Sequence, residues 1–170
     1  KKNKVTMEDM YNDILNLGVI FNVEQRAKNL VNKYKKEIAS ITSQSQKSIP
    51  LKVFVYDSGE DKPFTAGLYA MPTALIEAAG GKNVMETFKK SWGTVTWEEV
   101  IERNPEVIVI VNYGNVTAKQ KRKFMMTNPA FAQIDAVKND RFVTLEYVEA
   151  TPGPRNIKAI KKLMKGFWKK

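Results

Sequence analysis

The residues of this chain best suited to chemistry are aromatic and stand just past apolar runs. Tyr113 follows the run 107–111 with one residue between, and Tyr147 follows the run 142–145 in the same way. Phe64 and Tyr69 fall in or beside a stretch punctuated by Gly59, Pro63 and Gly67, and Arg155 follows Pro152-Gly153-Pro154. A tyrosine ring offers a flat, rigid contact surface with a polar tip, which suits a bulky conjugated ligand. A guanidinium matches an anion through forked hydrogen bonds. Each residue also has a plainer reading, as a packing or rim aromatic, or for Arg155 as a brace of its loop. The absences are equally informative. There is no His and no Cys, so disulfides, thiolate metal sites and Cys nucleophiles are excluded, and the commonest general base and metal ligand are gone. No clustered acid pair and no Gly-rich nucleotide turn is present. Gly80-Gly81 reads as a helix stop. The chemistry left is recognition rather than catalysis, and the chain reads as a non-enzyme with no cofactor of its own.

Such residues need elements to position them. Residues 8–20 read as a short helix with Met10, Tyr11, Ile14, Leu15 and Leu17 on one face, and Gly18 at its end or at a bend. A long amphipathic helix follows, with Asn22 as its cap, Gln25 completing a capping box, and Val23, Ala27, Leu30, Val31, Tyr34, Ile38 and Ile41 as its stripe. Residues 40–48 are polar, and Pro50 closes them. Strands are expected at 52–56, 107–111 and 142–145. Residues 57–67 read as a loop. Helices are expected at 72–79, from the Thr96 cap with Glu99 as its capping-box partner, at 118–126 and at 156–168. Residues 130–134 read as a short turn. Met71, Met125 and Met126 read as core filling. The fully apolar run 107–111 suits a strand buried on both faces. The fold class is therefore α/β, a small parallel sheet with helices on both faces, preceded by a long helix. The division expected is a helical segment, 1–48, and an α/β unit, 49–170. Ligands of such sheets bind beyond the carboxyl ends of the strands, which selects residues 57–69, 112–115 and 147–155.

With 170 residues, 43% of them hydrophobic, the chain can build one real core. No stretch approaches the roughly 20 apolar residues of a membrane span. Lys1-Lys2-Asn3-Lys4 is not followed by the apolar region of a signal peptide. The net charge is +10, from 28 basic and 18 acidic residues, with lysine clusters at both ends (Lys1, Lys2, Lys4; Lys161, Lys162, Lys165, Lys169, Lys170). A basic nucleic-acid-binding α/β module stays open on charge alone, although no nucleic-acid motif accompanies the lysines. Solvated helix faces, an anionic ligand and an anionic membrane surface fit the same sign.

Several runs resemble one family closely. They are Phe64-Thr65-Ala66-Gly67; Gly80-Gly81-Lys82-Asn83-Val84; Trp92-Gly93-Thr94-Val95-Thr96-Trp97-Glu98; Asn104-Pro105-Glu106-Val107-Ile108-Val109-Ile110; Val137-Lys138-Asn139-Asp140-Arg141-Phe142; and Pro152-Gly153-Pro154-Arg155. Together they look like the C-terminal lobe of the substrate-binding proteins of ABC importers for ferric siderophores, haem and cobalamin. The helix from Asn22 resembles the rigid helix joining the two lobes. The resemblance implies one Rossmann-like lobe of a two-lobed protein, without the family's N-terminal lobe and lipoprotein leader. It implies capture of an iron chelate, most simply a ferric siderophore, with haem or cobalamin as alternative cargo, and delivery to an ABC permease. The place of action would be extracytoplasmic, as a periplasmic protein or a cell-surface lipoprotein. Trp92 stands where relatives face the ligand, and joins Tyr113, Tyr147, Arg155 and Tyr69 as an expected ligand contact. Glu98 stands where the family places a surface Glu that docks onto permease Arg residues; the other reading is an ordinary first-turn acid. Some relatives ligate iron with His and Tyr, and a chain without His is expected to hold the complete chelate instead.

Overall fold

Alternating residues of an all-apolar strand must find two apolar partners, one on each face. The computed structural model, which describes residues 4–43 and 49–168, shows both. Strands β1 (Leu51–Tyr56), β3 (Gly81–Asn83), β5 (Val107–Asn112) and β6 (Phe142–Glu146) form a parallel sheet in the order β3-β1-β5-β6. On one face, Val53, Val55, Val107, Val109 and Leu145 pack with helices α3 (Met71–Ala78) and α8 (Asn156–Phe167). On the other, Phe54, Tyr56, Ile108 and Ile110 pack with α4 (Trp97–Arg103), α5 (Ala118–Thr127) and α6 (Asp135–Lys138). The expected fold class is what the structure has. Trp97 is the hub of the second face. Its ring lies 5.3 Å from Tyr56 and 4.5 Å from Phe131, and its Nε1 donates to Glu60 O at 2.7 Å.

Two short strands, β2 (Phe64–Ala66) and β4 (Trp92–Thr94), pair antiparallel in a separate ribbon, with Ala66 opposite Trp92. The expected loop at 57–67 therefore contains a strand, and Trp92 lies in a strand rather than a loop. Buried polar groups pin the ribbon to the sheet. Thr65 Oγ1 donates to Val55 O at 2.6 Å, and Asn83 Nδ2 donates to Ala66 O at 2.9 Å and to Thr73 Oγ1 at 2.7 Å. Gly67 is required here, because a Cβ would stand 2.5 Å from the carbonyl oxygens of both Phe88 and Lys90.

The N-terminal helices α1 (Met7–Ile20) and α2 (Glu24–Thr42) form an antiparallel pair whose core, Met10, Tyr11 and Val31, closes on Ile157 of α8. Two expectations change here. Gly18 does not end α1. It lies inside the helix where α2 crosses, with a Cβ there only 2.5 Å from Ala27 Cβ. Asn22 does not cap α2. It takes a left-handed φ of 55° in the connection, Val23 is the cap residue, and Gln25 bonds Asn29 instead. Replacing Gly18 by Val is expected to overpack the crossing and cost about 1–3 kcal/mol, read as a lower urea midpoint; an unchanged midpoint would mean the helices do not meet there. Thr96 does cap α4, accepting from Glu99 N at 3.2 Å, but the Glu99 carboxylate pairs with Arg103 at 2.6 Å and makes no capping box. Met71 and Met125 are core residues; Met126 is exposed. Lys1, Lys2, Lys169, Lys170 and the boundary proposed near residue 48 lie outside the described residues.

Candidate functional site

The strand-end rule has a local basis in how each strand stops. Strand β5 ends at Asn112, whose Oδ1 accepts from Ala118 N at 2.8 Å at the head of α5 and whose Nδ2 reaches Glu146 at 2.9 Å. Gly114, at φ 70°, turns the chain. Thr117 and Gln120 form a capping box that fixes where α5 begins. Strand β6 passes straight into a short helix, α7 (Tyr147–Ala150), so Tyr147 is its first residue rather than a loop residue. The buried Glu149 holds that start, accepting from Glu146 N at 2.9 Å and from Lys162 Nζ at 2.6 Å, with Lys158 Nζ 3.2 Å away. Burial raises the Glu149 carboxyl, but these donors outweigh it and hold it below the usual carboxylate range. Asn156 ties down the Pro-Gly-Pro loop, accepting from Gly153 N at 2.8 Å and donating to Glu149 O at 3.0 Å.

A concavity of about 340 Å³ opens between these ends and the ribbon. Two aromatic pairs line it. Phe64 and Trp92 stack with centroids 6.0 Å apart and planes 12° off parallel. Tyr113 and Tyr147 lie 5.4 Å apart. Between them the lining includes the buried Asp57 and Val111. The Asp57 carboxylate accepts from Tyr113 Oη at 2.6 Å and Ser58 Oγ at 3.0 Å. That hydrogen bond, then burial and the charge of Asp57, raise the Tyr113 phenol above its ordinary value, so it stays a protonated donor. Beneath, the buried Lys121 donates to Asp57 O and, at 2.7 Å, to Val111 O, with Nζ 4.8 Å over the Tyr113 ring. Burial pushes the Lys121 ammonium down; the Asp57 charge opposes that shift.

Trp92, Tyr113, Tyr147 and Phe64 are thus brought together. Tyr69, half-buried before α3, and Arg155, exposed at the head of α8, are not among the lining residues. Glu98 is exposed in the first turn of α4, and its carboxylate makes no ion pair or hydrogen bond with the described residues. Asp57 and Lys121 were not singled out from sequence. Asp57 lies in the selected segment 57–69, where the aromatics Phe64 and Tyr69 carry the expected chemistry. Lys121 has a readable signal: it falls on the same helix face as Ala118 and Met125, three and four residues away, where a core-facing residue belongs.

Two other hollows are less suited. One of about 610 Å³ runs along the polar face of α2 beside Asn29, Lys33 and Lys36. The described residues that line it come from a single helix face, and none of them is aromatic. Another, about 280 Å³, lies near the amino ends of the strands beside Lys52, Lys82 and Arg103. Among the described residues no group of three or more His, Cys, Asp and Glu is placed to hold a metal ion, and no helix is long and apolar enough to cross a membrane.

A family model described as periplasmic binding protein matches residues 2–148. A periplasmic binding protein from Veillonella parvula superposes with a TM-score of 0.89 at 33% identity, over 95% of this chain and 57% of that one. A possible iron-binding (periplasmic solute-binding) protein from Staphylococcus epidermidis gives 0.84 at 25% identity, over 98% and 64%. An ABC-type Fe3+-hydroxamate transport protein from Saccharomonospora viridis gives 0.87 at 22% identity, over 98% and 57%, a likeness of fold alone. The chain spans less than two thirds of the length of each of these proteins.

Proposed function

Because the chain belongs to the periplasmic binding protein family, we propose that it is the C-terminal lobe, with its interlobe helix, of an ABC importer's substrate-binding component that captures an iron chelate, a ferric siderophore, outside the cell membrane. The observation that carries this reading is the aromatic concavity at the carboxyl ends of β1, β5 and β6. Two ring pairs present flat faces to a bulky chelate, and Asp57 with the phenols supplies polar orientation. Similarity to a protein described as a possible iron-binding (periplasmic solute-binding) protein supports iron as the cargo. No bond is made or broken. The chelate is held between this lobe and an N-terminal lobe, with a small hinge motion about the stiff α2, in a periplasmic or lipid-anchored protein. Tryptophan-quenching titration of the full-length protein with ferric siderophores, haem and cobalamin tests this. Submicromolar quenching by a ferric siderophore supports the reading. Quenching only by haem or cobalamin keeps the importer role and changes the cargo, and no quenching by any of them removes it.

Delivery requires a permease contact, and the exposed Glu98 is the proposed one on this lobe. A carboxylate in a helix's first turn is favoured there and still open to a charge-assisted pair with Arg. Glu98→Arg is expected to leave chelate affinity unchanged while lowering chelate uptake by cells on the order of tenfold or more, since like charges would then face each other. Uptake at the wild-type rate would remove Glu98 from the interface.

A further inference from the structure

An aromatic site accepts many chelates, and their charge separates them. We propose that this lobe selects a neutral or singly positive ferric chelate, the trihydroxamate class, and disfavours polyanionic tricatecholates and citrates; this rests on the chelate-capture reading above. Among the described residues, the ionisable groups lining the concavity are Asp57, Tyr113 and Tyr147, with no Lys or Arg. Tyr113 is held protonated by its bond to Asp57. The Oδ1 atom of Asp57 accepts from none of the described residues, which leaves it for a ligand N–H or ammonium.

Three cations could be thought to compensate a polyanion. Lys121 is the nearest, but its ammonium is committed to the carbonyls of Asp57 and Val111 and lies buried beneath the Tyr113 ring. It offsets part of the Asp57 charge, making this face near neutral rather than positive. Arg155 is exposed and outside the lining. Lys90, the basic residue just before β4, has its Nζ 5.5 Å over the Phe88 ring. Much of the chain's basic charge stands on α2, α5 and α8, where screening within about 8 Å at physiological salt limits it to steering the encounter. A polyanion entering here exchanges hydration for apolar rings and a carboxylate, with no donor cation in return.

The test uses the full-length protein and three ferric probes: a neutral trihydroxamate, a singly positive trihydroxamate and a triply negative tricatecholate, titrated at physiological salt. Both trihydroxamates are expected to bind at least about 100-fold more tightly than the tricatecholate, on the scale set by two charged contacts. Asp57→Asn, with its melting curve as the folding control, is expected to weaken the positive probe about tenfold relative to the neutral one. Equal or tighter binding of the tricatecholate overturns the charge assignment while leaving chelate capture standing. An unchanged ratio between the two trihydroxamates in a folded Asp57→Asn protein also overturns it. Failure of all three probes to bind overturns the assignment together with the capture reading.

Discussion

Replacing Lys121 by Met is expected to lower the unfolding free energy by about 3 kcal/mol, which for a chain of this size moves the melting midpoint down on the order of 10 °C. The direction follows from what stays behind. Lys121 is 3% exposed, and its Nζ bonds the carbonyls of Asp57 and Val111, at the ends of β1 and β5. Methionine matches the length and apolar stem but donates nothing, so two carbonyls in a buried corner lose their partner at about 1–3 kcal/mol each. The nearby Asp57 carboxylate also loses its counter-charge. Part of the loss is recovered, because burial already disfavours the ammonium and its removal ends that cost. The same substitution frees the Tyr113 ring from the cation beneath it, so ligand binding should weaken along with stability. Thermal melting with a parallel titration checks both. An unchanged midpoint would show that the ammonium does not bind these strand ends together.

The largest effect on binding is expected from the two rings on opposite pairs, Trp92 and Tyr147. Each removal to Ala should weaken chelate binding by about 2 kcal/mol, roughly thirtyfold, the scale of aromatic anchors in desolvated contacts. The two should differ in stability. Tyr147 is 54% exposed, with its ring 5.4 Å from that of Tyr113, so Tyr147→Ala should melt near the wild type. Trp92 stacks on Phe64 and packs against the sheet core, so Trp92→Ala should also loosen the ribbon. Wild-type affinity in a well-folded Tyr147→Ala protein would take the ligand away from this end of the sheet.

How much of this was legible in the sequence depends on the length of the signal. Strands β1, β5 and β6 have five or six residues each, enough for apolar runs bounded by breakers. Their parallel order with covering helices follows from the all-apolar β5. The strands β2, β3 and β4 have three residues each, too few for any alternation to show. They exist because tertiary groups such as Thr65 and Asn83 fix them to the sheet. Asn22 misled because Asn serves equally as a cap and as a left-handed linker, and Gly18 because a close helix crossing looks like a helix end. At the site, the strand-end rule found Tyr113 and Tyr147, and family likeness found Trp92. The rule names segments, not directions, and so it offered Arg155 and, as a weaker candidate, Tyr69, neither of which lines the concavity. Lys121 hid among Lys119, Arg122 and Lys123, where one core-facing lysine looks like part of a solvated run.

The most direct measurement is a crystal structure of the full-length protein with a bound ferric chelate. The account predicts the chelate against Trp92, Tyr113 and Tyr147, beyond the carboxyl ends of β1, β5 and β6, with Asp57 facing it. A chelate seated instead beside Lys52, Lys82 and Arg103, at the opposite end of the strands, would contradict it.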